Sequence, residues 1–328
     1  MPELVSLDEI RAAAARLEGV TLRTPLIPFP GSDLLLLKPE SLQPTGSFKI
    51  RGAYTAISAL PDDARRRGVV AHSSGNHAAA VAYAAGLLGV PAAVVVPAST
   101  PPVKIVAARA FGAEVVICEP GLPARLAACD KLIAQHGYTM IPPFDHRAVI
   151  SGQGTIGLEI GTDRPDVDVV LSPVSGGGLV SGIAAAIHAL CPGAAVIGVE
   201  PEHAADARDS FRQRQQVTWP VAETSRTLAD ALRVEQIGKL PLAHMLAYVH
   251  DIVTVTDGEL RVTMRRLALE TRLVTEPGGV AAVAACLFHA SELPPGRVRV
   301  AVVSGGNVDP ALLADVLTDD GAPASASE

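Results

Sequence analysis

The stretch Val167-Asp168-Val169-Val170-Leu171-Ser172-Pro173-Val174-Ser175-Gly176-Gly177-Gly178-Leu179 reads as a buried strand, a glycine loop and the opening of a helix. Val167–Ser172 has the length and β-branched content of a strand, and Leu179–Leu190 has helical length. Three consecutive glycines between them let backbone N–H groups converge on an anion, and the helix N-terminus adds its positive dipole end. The loop lacks the lysine of a nucleotide-binding P-loop, which suits a monophosphate better. Taken alone, the glycines are equally consistent with a plain tight turn.

The same alternation extends in both directions. Upstream, Val69–Ala71, Pro91–Val96, Glu114–Cys118 and Tyr138–Ile141 read as strands, with helices at His77–Leu88, Pro101–Phe111 and Pro123–His136. Pro101 and Pro102 suit a first helical turn, and Gly112 a helix end. Downstream, Ala195–Glu200 and Val298–Ser304 are strands and Glu259–Arg272 is a helix. Nearly all-apolar strands separated by helices predict an α/β fold with parallel sheets covered on both faces. Ligands in such sheets bind at the carboxyl ends of strands, so the loops after Ala71, Val174, Val199 and Val303 carry the functional information.

Composition narrows the classes. A chain of 328 residues, 48% hydrophobic and 19% charged, describes a compact protein able to bury a large core. A net charge of −7 argues against a nucleic-acid partner. The N-terminal residues lack a signal-peptide pattern and no apolar run could span a bilayer, so a cytoplasmic location is expected. Cys118, Cys129, Cys191 and Cys286 have no paired spacing, which predicts reduced thiols without zinc.

Three further segments carry chemistry. Pro44-Thr45-Gly46-Ser47-Phe48-Lys49-Ile50-Arg51-Gly52-Ala53 holds one of only five lysines. Lysine, unlike arginine, can lose its proton and form a Schiff base, and apolar neighbours favour the neutral amine. Ser73-Ser74-Gly75-Asn76-His77 is an anion-ready turn opening a helix, and Ser304-Gly305-Gly306-Asn307 follows the last strand. Each alone is compatible with ordinary turn chemistry.

In this order and spacing, the four segments resemble the fold-type II pyridoxal 5′-phosphate (PLP) enzymes, specifically the serine/threonine dehydratase and serine racemase family. The resemblance runs from about Leu4 to Asp309. It implies a tryptophan synthase β-like fold of two parallel-sheet α/β domains with the active site in the cleft between them. Residues 1–60 and 146–318 would form the large PLP-binding domain, 61–145 a small mobile domain, and 319–328 a flexible tail. A homodimer is implied as well.

The resemblance also assigns roles. Lys49 would hold PLP as a Schiff base, with Phe48 against the ring. Ser175, Gly176, Gly177, Gly178 and Leu179 would bind the phosphate, Asn76 the 3′-oxygen and Ser304 the pyridine nitrogen. Ser73, Ser74, Gly75, Asn76 and His77 would receive the substrate carboxylate, and Ser74 matches the second acid/base of the racemases. Glu200, Ala204 and Asp206 match a Mg²⁺ or similar site, hard oxygen ligands from a short loop, although a solvated acidic turn would read the same way. Arg125 matches a basic residue that helps bind a dicarboxylate, or is a plain surface arginine.

The implied activity is dehydration of L-threonine, L-serine or a related β-hydroxy amino acid to a 2-oxo acid and ammonia. Serine racemisation and 3-hydroxyaspartate dehydration are alternatives. The lack of a following regulatory domain points to a catabolic role. Ser175 replaces a usual glycine, and Ala229-Asp230-Ala231 stands where Ala-Asp-Gly is expected. Two rival readings fare worse. Gly152-Gln153-Gly154-Thr155-Ile156-Gly157 matches the dinucleotide fingerprint, but the run before it, Arg147–Ile150, is short and no acid ends the next strand. A non-catalytic PLP binder would not need Ser74, Asn76 and Ser304 intact.

Overall fold

A computed structural model describes residues 2–319, apart from residues 74, 99, 101–104, 107–108 and 120. Two sheets organise it. The six-stranded sheet has the order β1-β2-β10-β7-β8-β9, from Ile27–Phe29 (β1), Ser32–Pro39 (β2), Arg299–Val303 (β10), Val169–Pro173 (β7), Ala195–Pro201 (β8) and Asp251–Val255 (β9). All its pairings are parallel except the β1–β2 hairpin. The four-stranded sheet is wholly parallel, in the order β5-β4-β3-β6, from Glu114–Cys118, Ala92–Pro97, Val69–His72 and Thr139–Met140. Every residue of β7 is buried, as expected of a strand covered on both faces.

The helices that position the site begin with α1 (Leu7–Leu17), α2 (Lys49–Ser58), α3 (Asp62–Arg67) and α4 (Asn76–Leu88). They continue with α5 (Leu122–His136), α6 (Arg147–Asp163), α7 (Gly178–Leu190) and α8 (Asp206–Gln213). Local chemistry sets several ends. Ser6 with Glu9 forms a capping box on α1, and Gly89 and Gly137 stop α4 and α5 in the left-handed region at φ +62° and +70°.

The helix expected over Glu259–Arg272 is α-helical only over Asp257–Arg266 (α9). A Thr256/Glu259 capping box starts it earlier, and a π turn, Leu267–Thr271, finishes it. The opening of the helix expected from Pro101 falls outside the described residues.

The Gly152–Gly157 fingerprint lies inside α6 and follows no strand, because Arg147–Ile150 is the first turn of that helix. Its glycines serve close packing. A Cβ at Gly152 would stand 2.5 Å from the Arg51 carbonyl oxygen, and one at Gly157 2.7 Å from that of Ile183. The run is thus a seam through which α6 meets α2 and α7.

Beneath α2 lies a buried ionic group. Arg51 Nε donates to Glu40 Oε2 at 2.7 Å and Arg51 Nη1 to Glu159 Oε1 at 2.7 Å, while Lys38 pairs with Glu159. Two cations and two carboxylates balance, and Thr24 adds a hydrogen bond to Glu40 at 2.7 Å. Isolated buried charges are costly and paired ones are tolerated. This arrangement anchors the helix whose first residue is Lys49.

Candidate active site

The loops that leave the carboxyl ends of β2, β3, β7 and β10 converge on one cavity of ≈ 500 Å³. Its lining includes Phe48, Lys49, Ser73, Gly75, Asn76, His77, Arg125, the whole Ser175–Leu179 loop and Ser304. Among the described residues, every cofactor and substrate position expected from the sequence therefore faces one space. Ser74 lies outside the described residues.

The Lys49 turn is stitched to the loop after β10. Phe48 N donates to the Ser304 carbonyl at 3.1 Å, and Gly306 N donates to the Gly46 carbonyl at 2.8 Å. Gly46 sits at φ +72°, and a Cβ there would collide with the Asn307 amide at 2.3 Å, so the close approach requires glycine. Lys49 Nζ donates to the Pro143 carbonyl at 3.0 Å and stands 5.0 Å from the Phe48 ring centroid. Burial pulls the Lys49 amine down to about 8, against the opposing charge of Glu276.

The glycine loop lies against Phe144. A Cβ on Gly176 would overlap that ring at 2.1 Å, and Gly177 adopts φ +86°. Helix α7 begins at Gly178, so its unpaired N–H groups point to the same side as the loop. Ser175 is half-buried at the rim.

Asn76 opens α4 and is fixed from two sides. Its Oδ1 accepts from Asn307 Nδ2 at 2.8 Å, and its Nδ2 donates to Glu276 Oε1 at 2.6 Å. The two contacts orient the amide and leave one Nδ2 proton for a ligand. Glu276, 4% exposed and lining the cavity, was not foreseen from the sequence. Its one signal there is an acid set in the turn Thr275-Glu276-Pro277-Gly278-Gly279. That turn is joined to the β10 loop, with Glu276 N donating to the Gly305 carbonyl at 3.1 Å and Ser304 N to that of Gly279 at 3.1 Å.

His77 is buried, with Nε2 2.8 Å from the Ile141 carbonyl, and burial with the nearby Lys49 charge takes it down to about 3. A neutral ring donates Nε2–H there, so the side chain is committed to the fold. Ser73 Oγ accepts from Gly75 N at 3.2 Å. Arg125, half-buried on α5, lines the cavity, and its Nε donates to the Gly121 carbonyl at 3.4 Å. Asp230 and Ala231 also line it, whereas Ala229 is buried.

Glu200, Ala204 and Asp206 come together away from this cavity, at the end of β8 and the start of α8. Glu200 accepts from the N–H of Ala207 at 3.3 Å and of Arg208 at 2.8 Å. Both carboxylate oxygens of Asp206 are buried without a hydrogen-bond partner. Burial, together with the charge of Asp206, holds Glu200 well above the usual carboxylate range, and burial raises Asp206 to about 7. Among the described residues, no three His, Cys, Asp or Glu side chains cluster as a metal site.

Residues 17–305 match the family described as pyridoxal-phosphate dependent enzyme. The chain belongs to this family. It is 40% identical to the L-threo-3-hydroxyaspartate ammonia-lyase of Saccharomyces cerevisiae over 84% of this chain and 83% of that protein. It is 39% identical to the catabolic L-threonine dehydratase of Escherichia coli over 93% of this chain and 94% of that one. The maize serine racemase structure superposes with a TM-score of 0.91 at 34% identity, covering 95% of this chain and 97% of its own. The fold-type II α/β architecture and the PLP dependence read from the sequence are thereby established. The four cysteines are free, and no helix of the described residues is long and apolar enough to cross a membrane.

Proposed function

We propose that this PLP-dependent enzyme is an ammonia-lyase that removes water from a small β-hydroxy amino acid, L-threonine or L-serine, yielding a 2-oxo acid and ammonia. The observation that carries the proposal is Lys49, whose depressed amine faces the same cavity as the glycine loop, Asn76 and Ser304. The names of the relatives, two lyases or dehydratases among them, support it.

When bound, PLP supplies an electron sink for bond breaking at the substrate α-carbon. The chain's residues do the rest. Lys49 would be the covalent attachment point, and its amine would serve as the base for the α-proton. An amine near 8 holds and gives up a proton near neutrality. The Ser175–Leu179 N–H groups and the α7 N-terminus hold the phosphate dianion. The remaining Asn76 amide proton serves the 3′-oxygen, and the Ser304 hydroxyl is a neutral partner for the pyridine nitrogen. A hydroxyl would not stabilise a protonated ring nitrogen as a carboxylate would, which suits chemistry at the β-carbon. The Ser73–His77 turn would receive the substrate carboxylate, and the cavity walls would exclude water.

Arg125 favours one variant of this reading. A half-buried guanidinium on the lining suits a substrate with a second carboxylate, such as 3-hydroxyaspartate. Glu200, the Ala204 carbonyl and Asp206 would hold a divalent cation such as Mg²⁺, for which the unpartnered buried oxygens of Asp206 are suited. Since none of the three lines the cavity, the ion would neutralise buried charge and brace α8, without touching substrate. Assembly as a homodimer belongs to the same proposal.

The test is a substrate panel of L-threonine, L-serine and L-threo-3-hydroxyaspartate, scoring oxo-acid release and chirality separately. Oxo acid from a β-hydroxy substrate, absent in Lys49→Ala, is the expected result. Racemisation without oxo acid would overturn the reading. A fall in the kcat/KM ratio of hydroxyaspartate to threonine on Arg125→Ala would support the dicarboxylate variant, and an unchanged ratio would remove it.

A further inference from the structure

A second cavity, of ≈ 470 Å³, lies at the other end of the six-stranded sheet, between the β1–β2 hairpin and the segment that enters β10. Arg266, Arg297 and Arg299 are among its lining residues, and among the described side chains no acidic one is. Arg299 is the first residue of β10, whose far end carries Ser304. Five residues of strand rise put the two cavities roughly 16 Å apart.

The arginines are not used up by the fold. Among the described residues, Arg297 and Arg299 form no ion pair, and neither guanidinium donates a hydrogen bond. Arg299 Nε is buried with no partner at all. Asp168, the nearby acid, is occupied otherwise, accepting the backbone N–H groups of Arg297 at 2.7 Å and Val298 at 2.8 Å. Arg266 is the one neutralised cation, bonded to Glu270 at 2.8 Å and lying 4.8 Å over the Phe29 ring. The other walls are apolar, from Phe29, Leu34, Leu35 and Leu287, with Leu34 46% exposed at the mouth.

Two cations without acidic partners on one cavity, with a buried N–H unsatisfied, are stabilised when an anion joins them. The volume lies in the range of metabolite pockets. We infer that this cavity is a ligand site, separate from the catalytic one, for a small anion with an apolar body. Its phosphate or carboxylate is held by Arg299 and Arg297, and its apolar part rests on Phe29 and Leu34.

The test uses holoenzyme, in which the Ser175–Leu179 loop is already filled by cofactor phosphate, titrated calorimetrically with phenyl phosphate and with inorganic phosphate. One saturable site per chain is expected, with phenyl phosphate the tighter ligand. Arg299→Gln with Arg297→Gln should weaken it by at least about tenfold, since charge-assisted hydrogen bonds are lost. Leu34→Asp places a repelling charge at the exposed mouth and should weaken it as well, in a variant with little bearing on the core. PLP content and turnover should stay at wild-type values in Leu34→Asp. No saturable binding of phenyl phosphate, or equal affinity in the wild type and both variants, would overturn the inference.

Discussion

The backbone N–H of Phe48 donates to the carbonyl of Ser304 across 3.1 Å, joining the residue before Lys49 to the residue proposed to meet the pyridine nitrogen. This hydrogen bond ties the start of the Lys49 helix to the loop after β10. Neighbouring contacts, Gly306 to Gly46 and Ser304 to Gly279, make the same loop a hub for three segments far apart in sequence.

Glu276 sets the electrostatics of that hub. Its negative charge raises the Lys49 amine, which burial has lowered to about 8. Glu276→Gln removes the charge, so the amine should titrate at lower pH. In the wild type, PLP capture by apoenzyme should accelerate as pH rises through about 8, where the neutral amine forms. The variant's midpoint should lie lower. A midpoint that stays or rises in Glu276→Gln would refute the coupling, and stopped-flow mixing across pH reads it directly.

The glycine loop tolerates no side chain at its second position. Gly176→Ala drives a methyl into Phe144, at 2.1 Å. PLP affinity should fall at least about tenfold, while overpacking costs about 1–3 kcal/mol of stability. Equilibrium dialysis of cofactor, with thermal melts, separates the two effects. Restored affinity in Gly176→Ala with Phe144→Ala would trace the defect to that clash.

Arg51 sits two residues beyond Lys49 and is 1% exposed. Arg51→Met leaves Glu40 and Glu159 buried without their shared partner, and breaking such a pair costs about 3–5 kcal/mol. Denaturant unfolding should show that loss. An unchanged midpoint would mean that the network contributes nothing net.

Asp206 and Glu200 repel inside the protein until a cation or proton intervenes. Mg²⁺ should raise the melting temperature relative to chelator, and Asp206→Asn should abolish that increment. Without metal, Asp206→Asn should be at least as stable as wild type, because a buried unpaired charge has gone. A Mg²⁺ increment that persists in Asp206→Asn would place the ion elsewhere.

Much of this architecture could be read from the chain. The strands β3, β4, β5, β7, β8 and β10 are compact apolar runs bounded by Gly or Pro, and the loops after them hold Asn76, Ser175 and Ser304. What escaped reading depends on long-range contacts. Glu276 meets Asn76 across 200 positions, and nothing local marks an acid that will be buried against an amide. The Gly152–Gly157 run has a strong local pattern with another cause, since helix seams and phosphate loops both need the absence of a Cβ. Strand β2, in part exposed, and the three arginines of the second cavity give no periodic signal, because strand pairing and chain reversal bring them together.

Every proposed role in the site depends on covalent attachment of PLP to Lys49. Reduction of the yellow holoenzyme with borohydride, then peptide mass mapping, reads that attachment. The expected result is a bleached visible band and one phosphopyridoxyl group on the peptide containing Lys49, absent from Lys49→Ala. A modified peptide elsewhere, or a wild-type protein that binds no PLP, would contradict it.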